Sequence, residues 1–299
     1  MRSCLVLVAA ALLLGACGTD GDLGGDSGSD GGSGFGLLDG GDVADLVDMV
    51  ADAPCDAADV GEDEGPVESI YAVVDGALAG LCFGDPSLPL VEAWLALAAV
   101  APPEQLEPVV LLGGFASDSD TVAFAGAADD EQYERFLIAI DLPAAEEQPD
   151  EMRLTMAHEL SHVFTQTPDQ LDVGADEDQC DVYWNGAGCV YADSYLALWI
   201  EAFWDDDDLI AQPEDGSADP DLGIERCELD PAFLGAYAAS SPEEDLAESF
   251  SAFVFDLDVP AGVQPKMAWF EAFPELAAFR DLHRVSGLPE VPNTLDRCG

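Results

Sequence analysis

Two of the three histidines in this 299-residue chain lie in one segment, LTMAHELSHVF at residues 154–164. His158 and His162 are one helical turn apart, so they project from the same face of a helix and can share one metal ion. Glu159 lies between them, where its carboxylate can reach a water molecule bound to that metal. The spacing therefore predicts a metal-binding helix; the alternative is two histidines and an ordinary glutamate on a helix face.

The residues around this segment predict a helix that is largely buried. Apart from the motif itself, no charged residue occurs from Leu154 to Phe164, and apolar residues supply several faces. Asp150 is the predicted N-cap, and Pro168 predicts the end of the helix. A dry environment of this kind fixes metal ligands and keeps the local dielectric constant low.

A catalytic zinc ion usually has three protein ligands and one open position, so the helix needs a third ligand from elsewhere. A histidine six residues after His162 would complete one known pattern, but Pro168 stands there. The segment SPEEDLAESF at residues 241–250 offers Glu244, with Glu248 one turn later on the same face of a predicted helix. Both can face the histidine helix, so this segment is the best candidate source of the third ligand.

Two alternatives for this segment stay open. A neighbouring carboxylate could bind the metal instead, namely Glu243, Asp245 or Glu248. Alternatively, Ser241 caps a helix whose first residue is Pro242, and the Glu244 side chain returns a capping-box hydrogen bond rather than binding metal.

Together the two motifs resemble the gluzincin type of zincin metallopeptidases, in particular lethal-factor-type catalytic domains and bacterial secreted proteins with an E-x-x-A-E-x-F helix. The resemblance implies that Glu244 binds zinc and that Glu248 hydrogen-bonds a ligand histidine. It also implies that Tyr237, seven residues before Glu244, assists the oxyanion. It covers the two motif helices and Tyr237, roughly a fifth of the domain. The cysteine-containing loop that follows the histidine helix is not matched.

The expected function is that of a zinc metallopeptidase, with endopeptidase action the first expectation and a protein or peptide as substrate. Glu159 is the expected general base, with Zn²⁺ as the cofactor. The alternative is a non-catalytic surface lipoprotein, a binding module in which zinc braces two helices. Structural zinc sites are closed by four protein ligands, so three ligands and an open position favour catalysis. No oligomeric state is assigned.

The pattern along the chain predicts an α+β, zincin-like fold: a small mixed sheet, then the metal-binding helix, then a mainly helical C-terminal half. Three apolar, β-favouring runs precede the histidine helix, at residues 108–112, 121–125 and 135–140, with Gly113-Gly114 as a predicted turn. The other expected elements are helices at residues 43–50, 67–81, 91–99, 195–204, 266–273 and 275–283, and a surface loop at 205–223.

The first residues predict export. Arg2, an apolar run at residues 5–14 and small residues before Cys17 read as a secretory signal at residues 1–16. The signal resembles a bacterial lipobox, in which Cys17 becomes lipid-modified; an ordinary signal with a spare thiol is the alternative. Residues 17–42, rich in Asp, Gly and Ser, predict a disordered tether, and residues 43–299 a single domain. The protein is thus expected on the extracytoplasmic face of the cell envelope, held to the membrane by lipid alone.

Six further cysteines predict three disulfides in an oxidising compartment. Pairing between neighbours gives Cys55–Cys82, Cys180–Cys189 and Cys227–Cys298, one of fifteen possible pairings. A cysteine-based zinc site is the weaker alternative, because no two of the six have the two-residue gap that such sites usually show.

The chain is strongly acidic, with a formal net charge of −54 at pH 7 from 62 acidic residues and eight Lys and Arg residues. A surface of this sign disfavours nucleic acid and anionic lipid headgroups as partners. It makes a neutral or basic substrate more favourable than an acidic one.

Overall fold

The computed structural model describes residues 10–11, 40–60, 64–117, 121–128, 134–210, 212–213 and 218–293. It confirms the predicted α+β class: a mixed sheet lies before the histidine helix in the chain, and mostly helices follow it. The predicted lipidation site Cys17 and nearly all of the predicted tether lie outside the described residues.

A mixed sheet forms one layer of the molecule. Its strand order is β1-β5-β6-β4-β2-β3, in which only β4 and β6 pair in parallel. The strands are β1 (Ala10–Ala11), β2 (Val67–Val74), β3 (Ala77–Gly84), β4 (Val109–Phe115), β5 (Thr121–Ala127) and β6 (Phe136–Asp141). The last three match the predicted strands at 108–112, 121–125 and 135–140 to within three residues at each end. Strand β1, which pairs with β5, falls in the predicted signal and was not expected.

The predicted helix at residues 67–81 is wrong, because this region forms the β2–β3 hairpin. Asp75 and Gly76 both have positive φ angles, 51° and 74°. Two such residues between strands match the twist of a hairpin, and Asp-Gly is a strong signal for that turn. The flanking valines and alanines also satisfied a helical apolar spacing, which misled the prediction.

The expected turn at Gly113-Gly114 is also wrong, because β4 continues through both glycines. A Cβ atom on Gly114 would lie 2.7 Å from a side-chain carbon of Leu142. The glycine therefore permits close packing of the residues that follow β6 against the sheet, and it does not reverse the chain.

Eleven helices occur in the described part of the chain. They are α1 (Gly40–Val47), α2 (Leu88–Ala98), α3 (Pro103–Leu106), α4 (Leu142–Glu147), α5 (Pro149–Thr165), α6 (Tyr195–Phe203), α7 (Asp206–Ile210), α8 (Pro220–Leu229), α9 (Pro242–Val254), α10 (Gln264–Phe270) and α11 (Pro274–Ser286). Two 3₁₀ turns, Ala57–Asp59 and Glu177–Gln179, and a second hairpin, β7 (Leu171–Val173) with β8 (Gly188–Val190), complete the elements.

Two details of the helix predictions need correction. Asp150 does not cap α5; it lies in the first turn, where it pairs with Arg153, and Gln148 precedes the helix. The region 205–223, expected as a loop, contains α7 and the beginning of α8. Asp219 caps α8, accepting hydrogen bonds from two backbone N–H groups, so this acidic run begins a helix.

Helix α5 is the centre of the fold. Every residue from Met152 to Thr165 is buried, as the uncharged flanks predict. The helix packs against the sheet, α2 and α9. Phe164 on α5 meets Phe250 on α9 edge to face, with ring centroids 5.1 Å apart. The histidine motif therefore lies in a buried, closely packed core.

Two of the predicted disulfides are confirmed, Cys55–Cys82 and Cys180–Cys189. Cys227 is disulfide-bonded as well. Its predicted partner, Cys298, lies outside the described residues, so that pairing stays a prediction. Disulfides of this kind are typical of proteins from an oxidising compartment. Among the described helices, none is long and apolar enough to cross a membrane.

Candidate metal centre

Helices α5 and α9 bring three potential ligand atoms together. Glu244 Oε2 lies 3.0 Å from His158 Nε2 and 3.6 Å from His162 Nε2. The two histidine Nε2 atoms are 3.1 Å apart. Within the part of the chain that the structure describes, this is the one group of three or more such side chains that could hold a metal ion.

The spacing of these atoms fits a divalent metal ion. Ligand atoms about 2.0–2.1 Å from a tetrahedral zinc ion lie about 3.3–3.4 Å from one another. Neither carboxylate oxygen of Glu244 makes a hydrogen bond of normal geometry with any described residue, although Oε2 is close to both imidazoles. A buried carboxylate left in this state is costly unless a cation compensates it. The donor set of two imidazoles and one carboxylate is one that catalytic zinc uses.

The charge of Glu244 suits this role. Burial opposes ionisation, but the nearby His162 and His158 outweigh it and hold the pKa of Glu244 well below its usual value. The side chain is therefore an anionic ligand at neutral pH.

The N-terminus of α9 aims Glu244 at the histidines. Ser241 caps the helix, since its hydroxyl accepts a hydrogen bond from the Glu244 backbone N–H at 3.2 Å, and Pro242 is the first helical residue. The Glu244 side chain faces the imidazoles instead of returning a capping-box bond. Glu244 thus donates its backbone N–H to the cap, while its carboxylate is the candidate ligand.

The alternative carboxylates of this segment lie elsewhere. Glu248 Oε1 is 3.1 Å from His158 Nδ1, on the side of the ring opposite Nε2. Asp245 is paired with Lys266, and Glu243 accepts a hydrogen bond from the Tyr183 hydroxyl at 3.4 Å. Of the four acidic side chains, only Glu244 reaches both Nε2 atoms.

Glu159 is fully buried beside the three candidate ligands. Neither of its carboxylate oxygens has a hydrogen-bond partner among the described residues. Burial raises the pKa of Glu159 above its usual value, and the charges of His158 and His162 oppose that shift without cancelling it. A carboxylate with raised proton affinity and free oxygens next to a metal site is suited to accept a proton.

Tyr237 lies against the same site, on the segment that leads into α9. Its ring stacks on His158, with centroids 5.9 Å apart and an interplanar angle of 27°. Its hydroxyl is buried and has no hydrogen-bond partner in the described chain. Burial, followed by the charge of Glu244, raises the pKa of Tyr237 well above its usual value, so the group is a stable O–H donor.

Sequence reasoning missed Tyr183, whose hydroxyl reaches Glu243 in the first turn of α9. Tyr183 lies between Cys180 and Cys189 in the loop that their disulfide closes. The loop approaches the site only through tertiary packing, so no local spacing indicated it. His283, the third histidine of the chain, packs against Phe255, with ring centroids 4.9 Å apart.

The comparisons with known proteins add little to this geometry. No protein-family profile matches the chain, and no curated protein sequence matches it. One solved structure, from Bacteroides caccae and described as a proposed zinc-binding metallo-peptidase, is similar to it at 17% identity with a TM-score of 0.31. The match covers 68% of this chain and 77% of the other. A similarity of that size carries no argument about fold or function. The functional proposal therefore rests on the geometry of the site itself.

Proposed function

We propose that the protein is a zinc-dependent metallopeptidase. The observation that carries the proposal is the convergence of His158, His162 and Glu244 on one point in the buried core, with the Glu159 carboxylate beside them and without a hydrogen-bond partner among the described residues. Bound zinc supplies a water of lowered pKa and polarises the scissile carbonyl. His158, His162 and Glu244 would hold it, leaving a coordination position for that water.

Glu159 acts as the general base. Its carboxylate takes a proton from the attacking water and then delivers it to the departing amine. Burial supports this cycle because it raises the proton affinity of the group towards the working pH. General acid–base catalysis of this kind contributes about 10²–10⁴-fold to the rate.

Two further side chains act on the same reaction. Glu248 accepts a hydrogen bond from His158 Nδ1, which fixes the tautomer in which Nε2 is the metal-binding atom and increases the basicity of the ring. Tyr237 donates its hydroxyl proton in a hydrogen bond to the oxyanion that forms during attack, which stabilises that charge.

The cellular setting is part of the proposal. Residues 1–16 act as an export signal, Cys17 carries the lipid anchor, and residues 17–42 tether a catalytic domain of residues 43–299. The disulfides support an oxidising location. The net charge of −54 supports neutral or basic peptide substrates and argues against nucleic-acid partners.

The test is the Glu159→Gln variant of the purified protein, assayed against casein or a peptide library with and without a chelator. We expect the wild type to bind about one zinc per chain and to cleave peptides until the chelator is added. Glu159→Gln should retain zinc and lose cleavage by about 10²-fold or more. Glu151→Gln, in the first turn of the same helix, is the matched control and should stay active.

The outcomes separate the proposal from its alternative. A fully active Glu159→Gln protein would contradict the assigned role. A wild type that retains zinc but cleaves nothing would favour the non-catalytic lipoprotein in which zinc braces α5 and α9. A wild type that binds no zinc after loading would contradict both.

A further inference from the structure

A fully buried ion pair lies next to the candidate metal centre, and one of its members, Asp245, directly follows Glu244 in the chain. Asp245 is 0% exposed and Lys266 is 1% exposed, and Lys266 Nζ lies 2.5 Å from Asp245 Oδ1. Lys266 is the only lysine in the chain. Charged residues are almost never this deeply buried unless they are paired, and a buried pair adds little stability over apolar side chains of the same size. Stability alone therefore does not explain this one.

Aromatic side chains supply the remaining polar contacts of this pair. Asp245 Oδ2 accepts hydrogen bonds from the indole N–H groups of Trp199 at 2.9 Å and Trp204 at 3.0 Å. The Lys266 ammonium lies 4.2 Å from the ring centroid of Phe233, a cation–π contact. Asp245 thus receives three hydrogen bonds, two from the region of α6 and one from α10.

These contacts fix the first turn of α9. Asp245 follows Glu244 in the chain, and successive helical residues point about 100° apart. Glu244 therefore faces the histidines of α5, while Asp245 faces α6 and α10. Phe233 belongs to the segment that carries Tyr237 towards the site. The network therefore involves residues that are close in the chain to Glu244 and to Tyr237, two of the three side chains that α9 and its preceding segment contribute to the proposed chemistry, the third being Glu248.

We propose that Asp245 and Lys266 are a positioning pair, which holds Glu244 at ligand distance from His158 and His162 and so sets the affinity for the metal. The inference rests on the proposed function, because it requires Glu244 to bind a metal ion. The pair touches neither the metal nor the substrate, and its effect passes through the backbone of α9.

The test uses zinc as the probe and the double variant Asp245→Asn/Lys266→Met of the full chain. The double change removes both charges together, so no unpaired charge stays buried, and Asn keeps an acceptor for an indole N–H. Zinc affinity is measured by competition with a chelator, at a temperature where circular dichroism shows each metal-free protein to be folded. We expect the dissociation constant to rise about tenfold or more, as when groups that orient metal ligands are lost.

The matched control is Ile70→Ala, a fully buried change in β2 that lies in a hydrophobic cluster separate from the one that contains α5 and α9. Its zinc dissociation constant should stay within about twofold of the wild type, because distant sites act independently. The visible spectrum of bound Co²⁺ gives a second readout. It should change in the double variant, where the ligand geometry is relaxed, and should be unchanged in Ile70→Ala.

Wild-type zinc affinity in the folded double variant, or an equal loss in Ile70→Ala, would overturn the inference. If the double variant does not fold, Asp245→Asn is measured in the same way, and wild-type affinity in that variant overturns it equally. Failure of the proposed function gives a different result. A wild type without zinc affinity contradicts both proposals, whereas a zinc-binding wild type with an unaffected double variant contradicts only this one.

Discussion

Tyr237 is the residue whose contribution can be separated most cleanly from the fold. Its ring stacks on His158, while its hydroxyl has no hydrogen-bond partner among the described residues. Phenylalanine at this position keeps the stacked ring and removes only the donor. We expect Tyr237→Phe to lower kcat by about 10²–10³-fold, the usual cost of losing one oxyanion donor, with zinc content and KM little changed.

Tyr195→Phe is the matched control for that measurement. It removes a hydroxyl that bonds the Glu275 carboxylate at 2.6 Å, near the surface and outside the site. Steady-state kinetics on both variants decide the matter: equal kcat values for Tyr237→Phe and the wild type would show that Tyr237 is only a core aromatic.

At this scale the spacing within one helix predicted that His158 and His162 share a face, whereas Glu244 as the third ligand followed from the resemblance of its segment to the E-x-x-A-E-x-F helix. The structure brings the three side chains together. The partner of Asp245 could not be predicted in the same way. Lys266 is 21 residues further along the chain, on another helix, and no periodicity links the two.

At the scale of elements, the three strands before α5 were predictable because short β-branched runs separated by turns have few other solutions. The β2–β3 hairpin was not predictable, because its small apolar residues fit the period of a strand and the period of a helix equally well. Asp75-Gly76 was the signal that could have decided it, since both residues require positive φ angles.

The two confirmed disulfides close loops of different length, which leads to a prediction about stability. The sequence separation is 27 for Cys55–Cys82 and 9 for Cys180–Cys189. Constraint of the unfolded chain then contributes roughly 3.5 and roughly 2.6 kcal/mol at 25 °C. Replacing the first pair by alanines should therefore lower the free energy of unfolding by about 1 kcal/mol more than replacing the second.

Denaturant unfolding of the two double-alanine proteins, each compared with the wild type, measures this difference. Because both proteins lose one disulfide and two cysteine side chains, the second serves as the control for effects that do not depend on loop length. A larger loss of stability in the second protein would show that native contacts of the 180–189 loop, including Tyr183, outweigh the effect on the unfolded chain.

At the scale of the whole molecule, charge is the dominant feature. A net charge of −54 destabilises the compact state through self-repulsion. Salt screens such repulsion, with a Debye length of about 10 Å at 0.1 M and about 3 Å at 1 M. We expect the melting temperature to rise as KCl increases from about 0.05 M to about 1 M, by roughly 2–4 °C for each kcal/mol gained in a domain of this order of size.

Differential scanning calorimetry in the presence of a chelator provides the measurement and excludes changes in metal occupancy. A melting temperature that is constant or falls with salt would contradict the expectation, because it would mean that attractive ion pairs, such as Arg284 with Asp256, outweigh the repulsion.

The burial of Lys266 has a practical consequence. Reagents that acylate primary amines have one side-chain target in the whole sequence, and it is enclosed by aromatic rings. The folded chain should therefore resist labelling at that side chain, and incorporation there would report opening of the core around α9 and α10. The fraction of chains that carry the mass increment on one tryptic or acid-cleaved fragment would then measure how much of the protein has opened, without any engineered probe.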